Sequence, residues 1–123
     1  MTLQEAITVC DRLKPNACAE SDKRRWLSDL DGMIYGELLA RHEGAPDSFA
    51  GYDDSTDGET VLLVPAPYSD VYLKYLFAQI DFVNGEYARC SNAAMLYNTA
   101  YRAFADHIHR TRRPLCENRI REG

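Results

Sequence analysis

The stretch "LLVPAPYSDVYLKYLFAQID", residues 62–81, joins an apolar run to a helix start through two prolines. Residues 60–65 are apolar and β-branched, which allows a short strand, and Pro65 would close it because proline has no N–H to donate. Ser69 is placed to cap a helix, and Asp70 would favour the positive end of its dipole. This stretch therefore marks where a long loop ends and a new helix begins.

Upstream of this stretch, apolar residues recur at the spacing of two amphipathic helices. Thr2 and Glu5 have the spacing of a capping box, which predicts a first helix from Thr2 to Lys14, stopped by Pro15. Ser21 is predicted to cap the second helix. We expect its buried stripe to contain Trp26, Leu27, Leu30, Met33, Ile34 and Leu38.

Downstream, the third helix has two possible ends. Asn84–Gly85 could stop it, or it could continue to Arg89, and we favour continuation because Ser91–Asn92 then gives a break and a new cap. The fourth helix is then predicted from Asn92 to Arg110. Its apolar face would contain Ala93, Leu96, Tyr97, Ala100, Phe104 and Ile108. The predicted fold is mainly α, a small four-helix bundle with one long loop between helices 2 and 3.

The loop over residues 44–69 is rich in Gly, Pro, Asp and Ser. Part of it, "DDSTDGE" at residues 53–59, resembles the start of an EF-hand calcium loop, but the bidentate Glu required at position 12 is Val64 here. We therefore expect a solvated acidic loop without calcium. Its acidic side chains are Asp53, Asp54, Asp57 and Glu59.

Residues that could carry catalysis or bind a metal form no convincing group. His107 and His109 would lie about 200° apart around a helix, so they cannot share a metal. The four cysteines include no C-x-x-C pair, and we expect free thiols. Since no nucleotide-binding or hydrolase motif occurs either, we expect no metal, no cofactor and no enzymatic activity.

Charge is distributed unevenly along the 123 residues, whose formal net charge is −5. Residues 100–123 contain six arginines and three acidic residues, so the rest of the chain is strongly acidic. An acidic body repels phosphates and does not favour nucleic-acid binding, whereas the basic end could bind an anion or an acidic protein. The N-terminal residues lack the pattern of a secretory signal, and no apolar run is long enough to span a membrane, so we expect a cytoplasmic protein.

Eight tyrosines are many for this length. Tyr72 and Tyr75 on helix 3, with Tyr97 and Tyr101 on helix 4, are predicted to be half-buried. In a monomer they would form the rim of the core, and in an oligomer they would anchor an interface, where Tyr is enriched. The sequence leaves both possibilities open.

Several short motifs in fixed order resemble one family, the small head–tail connector (head-completion adaptor) proteins of tailed bacteriophages and prophages. The resemblance covers residues 3–111 and does not extend to the tail, residues 112–123. The motifs are "DKRRWLSDLDGMI" (22–34), "HEG" (42–44), "LLVPAPYSDVYLKYL" (62–76), "QIDFVNGEYARCSNAAMLYNTAYRAFAD" (79–106) and "RT" (110–111).

The resemblance implies a subunit of a ring, by family a dodecamer, that assembles on the portal vertex of the capsid. Such a ring extends the DNA channel, meets the next connector or tail protein, and lets DNA pass without specific binding. The protein would then reside in the neck of the virion, and in the host cytoplasm during assembly. Residues 1–111 would form the connector domain, and the basic tail, residues 112–123, would order only on a partner.

Under this hypothesis, two sets of residues receive roles. The candidate portal or subunit interface contains Arg110, Arg112, Arg113, Tyr72, Tyr75, Leu62 and Leu63. The acidic loop would face the DNA channel through Asp53, Asp54, Asp57 and Glu59. The competing hypotheses are a small cytoplasmic helical regulatory or binding protein, such as a prophage-encoded inhibitor or adaptor, and another connector or tail subunit.

Overall fold

The structure is a computed structural model and describes residues 1–115. It is mainly helical, as the sequence predicts, and no strand occurs within those residues. Its four α-helices are α1 (Leu3–Leu13), α2 (Glu20–Glu37), α3 (Asp70–Val83) and α4 (Tyr87–Thr111), and a short 3-10 helix (Leu39–Arg41) follows α2. A long loop joins this 3-10 helix to α3, in agreement with a small helical bundle.

The start of α1 confirms the predicted capping box. The Thr2 hydroxyl accepts from the Glu5 N–H at 3.1 Å, and the Glu5 carboxylate accepts from the Thr2 N–H at 3.3 Å. Two free N–H groups of the first turn are thereby satisfied. The buried face of α1 is small and apolar, and it consists of Leu3, Ala6, Ile7 and Cys10.

The start of α2 differs from the prediction. Ala19 occupies the N-cap position without a side-chain hydrogen bond, and Ser21 lies inside the first turn. Two carboxylates in that turn, Glu20 and Asp22, stabilise the positive end of the helix instead. The predicted cap at Ser21 is therefore wrong by two residues, but the existence of the helix is confirmed.

The end of α3 also corrects the favoured interpretation. Gly85 adopts a left-handed conformation with φ of +74°, its N–H binds the Phe82 carbonyl, and the Glu86 N–H binds the Asp81 carbonyl. These two bonds form a Schellman motif, which ends a helix where glycine can take positive φ. The helix therefore stops at Val83 and does not continue to Arg89. The predicted break at Ser91–Asn92 is also wrong, since both residues lie inside α4.

The helices α3 and α4, joined by three residues, form the most extensive helix pair, and α1 and α2 pack on α3. The core between them contains Leu27, Leu30, Ile34, Leu76, Ile80 and Phe104, all nearly inaccessible to water. Trp26, by contrast, is only half-buried, and Leu96 is 54% exposed. Both were expected in the core, and the structure places Leu96 on the surface of α4 instead.

Two ion pairs attach α1 to its neighbours. Lys23 Nζ, which is buried, lies 2.6 Å from Asp11 Oδ1 and joins α2 to α1. Lys14 Nζ lies 2.7 Å from Asp81 Oδ1 and joins α1 to α3. This second approach is close but poorly directed, so Asp81 Oδ1 has a charge partner without a well-formed hydrogen bond.

The loop over residues 44–69 is held by the helices along much of its length. Arg24 Nη1 donates to the carbonyls of Asp53 at 2.9 Å and Thr56 at 2.7 Å. Gly51 has φ of +86°, and a Cβ there would meet the Ser28 hydroxyl at 2.8 Å, so only glycine fits.

The predicted strand at residues 60–65 does not form. Its backbone instead pairs with the N-terminus, where the Leu3 N–H donates to the Thr60 carbonyl and the Leu62 N–H donates to the Met1 carbonyl. The result is one isolated bridge between Thr2 and Val61. A ladder of this length is too short to count as a strand.

The start of the C-terminal tail pairs with the residues that follow α2. The Glu43 N–H donates to the Arg113 carbonyl at 2.9 Å, and the Leu115 N–H donates to the Arg41 carbonyl at 2.8 Å. That the tail orders only on a partner stays a prediction. The rest of the predicted tail, residues 116–123, lies outside the described residues.

No helix within residues 1–115 combines the length and the apolar character needed to cross a bilayer.

Truncation of a buried residue and of an exposed residue of α4 should change the free energy of unfolding by different amounts. Phe104→Ala should lower the free energy of unfolding by about 3–5 kcal/mol, because it leaves a cavity between α4 and the core. Leu96→Ala should change it by less than about 0.5 kcal/mol, as at other exposed sites. Urea denaturation of both variants measures the difference, and a large loss for Leu96→Ala would contradict the surface position.

Candidate interaction surface

A buried carboxylate with no cationic partner among residues 1–115 lies between α2, the loop and α3. Asp31, on α2, is fully buried, and its carboxylate accepts three hydrogen bonds. Oδ2 accepts from the Tyr52 hydroxyl at 2.6 Å and from the Leu63 N–H at 3.1 Å, and Oδ1 accepts from the Tyr72 hydroxyl at 2.7 Å. The Tyr72 hydroxyl in turn accepts from the Val64 N–H at 2.7 Å. One side chain thus connects α2, the loop and α3.

The electrostatics of this group follow from its burial. Loss of hydration raises the pKa of Asp31, and the hydrogen bonds from Tyr52, Tyr72 and Leu63 oppose that rise. The pKa of Tyr72 is also raised, first by its own burial and then by the neighbouring Asp31. Because Asp31 is inaccessible to a substrate, the arrangement favours a structural role over acid–base chemistry.

Two residues proposed for the interface are therefore unavailable to a partner. Tyr72 is fully buried, with its hydroxyl bound to Asp31, and Leu62 is 3% exposed within the core. Their expected role as interface anchors is corrected to a role in the monomer core. Tyr75 and Leu63 are half-buried and keep part of their side chains at the surface.

The surface carries instead an apolar region that the sequence analysis did not identify. It lies at the turn of the α3–α4 hairpin and consists of Phe82, Val83 and Tyr87, each more than half exposed, with the ring centroids of Phe82 and Tyr87 5.9 Å apart. We call it the hairpin surface. This surface follows from the corrected helix ends, because Phe82 and Val83 end α3 and Tyr87 begins α4. Exposed apolar residues grouped in this way are typical of interaction sites.

Next to the hairpin surface, the two helices leave an open groove of about 370 Å³. Its walls are Tyr75, Ala78, Gln79 and Phe82 from α3, and Cys90, Ala94 and Tyr97 from α4. Tyr75 and Tyr97 pack with ring centroids 5.3 Å apart, and Tyr97 stacks on Tyr101 at 6.2 Å. The four tyrosines named from the sequence thus divide, with Tyr72 in the core and the other three beside this groove.

The three arginines proposed for docking lie at the opposite end of α4. Arg110 and Arg113 are exposed, while Arg112 is half-buried with its side chain against Gly44. None of the three forms an ion pair with another residue in the range 1–115.

The acidic loop residues Asp53, Asp54, Asp57 and Glu59 are all exposed. Two of them have local structural roles, since Asp53 accepts from the N–H and hydroxyl of Ser55, and Asp57 accepts from the Glu59 N–H. The bonds from Ser55 lower the pKa of Asp53. Across residues 1–115, no group of three or more His, Cys, Asp or Glu side chains is arranged to hold a metal ion.

One contact between distant residues could not be inferred from the spacing of the histidines. His42 is buried, its Nδ1 lies 2.7 Å from the Leu38 carbonyl, and its ring centroid is 5.2 Å from that of His109. His107 lies on the other side of α4, where its ring packs against Tyr68 at 4.9 Å. The two histidines of α4 are thus separated, as the helical spacing predicts.

Comparison with models of known protein families found no match, and comparisons with curated proteins and with solved structures found none either.

Removal of the Tyr72 hydroxyl should destabilise the fold. Tyr72→Phe leaves the Val64 N–H without an acceptor and Asp31 without one of its three donors, so the free energy of unfolding should fall by about 1–3 kcal/mol. Tyr101→Phe is the matched control, because the Tyr101 hydroxyl forms no hydrogen bond within residues 1–115. Equal midpoints in urea for the two variants would show that the network does not stabilise the protein.

The raised pKa of Asp31 also predicts the pH dependence of stability. A carboxyl whose folded pKa exceeds its unfolded value of about 3.9 favours the folded state below that value, and this contribution is lost as pH rises through the folded pKa. The stability of the wild type relative to Asp31→Asn should therefore decrease as pH rises above about 4. Urea denaturation of both proteins at several pH values gives this difference, and a difference that grows with pH would contradict the assignment.

Proposed function

We propose that the protein is a structural subunit of a phage head–tail connector ring, which docks on the portal vertex, extends the DNA channel and links the head to the tail. The observation that carries a role in assembly is the hairpin surface, an apolar region left uncovered by the monomer. Exposed apolar residues of this kind are typical of surfaces that a partner covers. The identity of the assembly rests on the resemblance of residues 3–111 to the connector family.

Charge supports the same proposal. The acidic loop lies against the N-terminal half of α2 through Arg24, whereas Arg110 and Arg113 lie beside the residues that follow its C-terminal end. An acidic loop facing the channel would not retain the phosphates of passing DNA, and exposed arginines could pair with carboxylates of the portal or a neighbouring subunit. Under this proposal the protein is not an enzyme.

The hairpin surface also suits the second candidate, a small helical protein that regulates or binds a single partner as a monomer or dimer. The two candidates differ in stoichiometry. A connector subunit forms a multi-copy ring on the portal, whereas a regulator forms a small complex of fixed composition. Mass photometry of the protein alone, and with the portal ring encoded in the same genome, distinguishes them.

Charge reversal tests the arginines directly. The variant with Arg110, Arg112 and Arg113 changed to Glu should remain folded but lose binding to the portal ring, because its charges now repel the acidic contact. High salt should weaken the wild-type complex for the same reason.

The control variant carries Arg12→Glu, Arg25→Glu and Arg89→Glu, three exposed arginines on α1, α2 and the opposite end of α4, and therefore has the same net charge. Binding is measured by cosedimentation with portal rings at two salt concentrations. If the first variant binds as well as the wild type, the arginines are not the docking site, and the hairpin surface becomes the better candidate.

A further inference from the structure

A basic surface lies where the end of α4 meets the chain that follows α2. The Leu115 N–H donates to the Arg41 carbonyl at 2.8 Å. The Glu43 N–H donates to the Arg113 carbonyl at 2.9 Å, so the two segments pair. Residues 41–44 and 110–115 contain four arginines and one acidic residue, which is a formal charge of +3. All of these arginines except Arg112 are exposed. We call this surface the arginine end, and its arginines are Arg41, Arg110, Arg112 and Arg113.

The acidic loop carries the opposite charge and is held in place by the helices. Residues 53–59 contain four acidic residues and no basic residue, which is a formal charge of −4, and all four acidic residues are exposed. Arg24 donates to the Asp53 carbonyl at 2.9 Å, and the Gln4 N–H donates to the Gly58 carbonyl at 2.9 Å. Because both ends of the segment are already fixed, it loses little further chain entropy when a partner binds.

An open cleft of about 300 Å³ lies between this loop and the first turns of α2. Asp53 and Asp54 line it on the loop side, and Asp22 and Arg25 line it on the helix side. Arg25 Nη2 lies 3.3 Å from Asp22 Oδ1, so this cation pairs with a carboxylate of its own helix. An arginine guanidinium is planar and can bind two carboxylate oxygens, so it suits a cleft whose lining includes three carboxylates and one cation.

The two charged surfaces lie at opposite ends of α2, because the loop runs back along that helix. Near the C-terminal end of α2, the Tyr35 hydroxyl donates to the Pro46 carbonyl at 2.8 Å. Near the N-terminal end, Arg24 donates to the Thr56 carbonyl at 2.7 Å. The helical rise places Arg24 and Glu37 about 20 Å apart along the axis, well beyond the screening length of about 8 Å at physiological salt. No ion pair among residues 1–115 joins the two surfaces.

We propose that the arginine end of one copy binds the acidic loop of a second copy, with Arg110 and Arg113 beside Asp54 and Glu59. The inference deepens the proposed function and rests on it for the idea that copies assemble. It assigns the neighbouring copy as the acidic partner of these arginines. The contact is heterologous, because it joins two different surfaces. Repetition of such a contact generates a ring if the rotation closes, and a filament if it does not.

Two full-length double variants test the inference by mixing. Asp54→Lys with Glu59→Lys reverses the charge of the loop, and Arg110→Glu with Arg113→Glu reverses that of the arginine end. All four side chains are exposed, so each variant should keep its fold. In sedimentation velocity over a concentration series, the wild type should self-associate, and each variant alone should associate at least about tenfold more weakly, because like charges then meet. An equimolar mixture should recover association, since each reversed surface then meets a surface of opposite charge.

The controls reverse the same number of charges elsewhere on the molecule. Asp29→Lys with Glu86→Lys matches the loop variant, and Arg12→Glu with Arg89→Glu matches the arginine variant. These four residues are exposed and lie outside both surfaces, so the controls should associate like the wild type. Raising the salt from about 0.01 M to about 1 M should weaken wild-type association, because the screening length falls from roughly 30 Å to roughly 3 Å.

Three outcomes would overturn the inference. The first is a wild type that remains monomeric at all concentrations. The second is a double variant that associates like the wild type, which would indicate that copies meet through the hairpin surface. The third is a mixture that does not recover association. Binding of the wild type to portal rings is measured separately. Portal binding without recovery in the mixture rejects the inference alone, whereas recovery without portal binding rejects the connector role alone.

Discussion

The carboxyl group of Asp31 must remain satisfied inside an apolar core without a cationic partner among residues 1–115, and much of the structure follows from this constraint. An isolated charge in such a place costs several kcal/mol, so burial raises the pKa of Asp31, and hydrogen bonds to the carboxylate offset part of the cost. Two tyrosine hydroxyls and one backbone N–H provide them. The donors Tyr52 and Leu63 belong to the loop, and the donor Tyr72 belongs to α3. These hydrogen bonds therefore attach both the loop and α3 to α2.

This constraint also decides which surfaces are left for partners. Tyr72 turns inward because its hydroxyl is needed by Asp31 and by the Val64 N–H. Tyr75, one turn further along α3, and Tyr97 on α4 have no such partner in the core and line the groove instead. Hydrogen bonds thus hold Tyr72 of α3 in the core, whereas the hairpin surface is apolar and uncovered.

The sequence predicted the helices well where local signals determine them. The capping box of α1 and the apolar stripe of α2 are local patterns. The structure reproduces the capping box and buries Leu27, Leu30 and Ile34 of the stripe, whereas Trp26 and Met33 are only half-buried. The junction between α3 and α4 was mispredicted because Asn84–Gly85 and the residues after it carry opposing signals, and the Schellman bonds favour the glycine. That error hid the hairpin surface, since Phe82 and Tyr87 were placed inside one continuous helix.

The burial of Asp31 could be predicted from the sequence, but its hydrogen-bond partners could not. Asp31 lies four residues after Leu27 and three before Ile34, so it is on the apolar stripe of α2, where a charged side chain needs a partner. Nothing in the sequence indicates that the partners would be Tyr52, Leu63 and Tyr72, because they are brought together only by the tertiary fold.

Several contacts that hold the fold together join residues far apart in the sequence, so they cannot form early in synthesis. The hydrogen bonds to Asp31 span 21, 32 and 41 residues, and the N-terminus pairs with residues 58–62. A ribosome that has released only α1 and α2 therefore exposes a helix pair whose central carboxylate still needs water and whose first turn lacks its pairing segment. Native contacts of such long range slow folding relative to other small helical proteins, because loop closure must precede the gain in contacts. The three hydrogen bonds to Asp31 can all form only after Tyr72 has emerged from the ribosome.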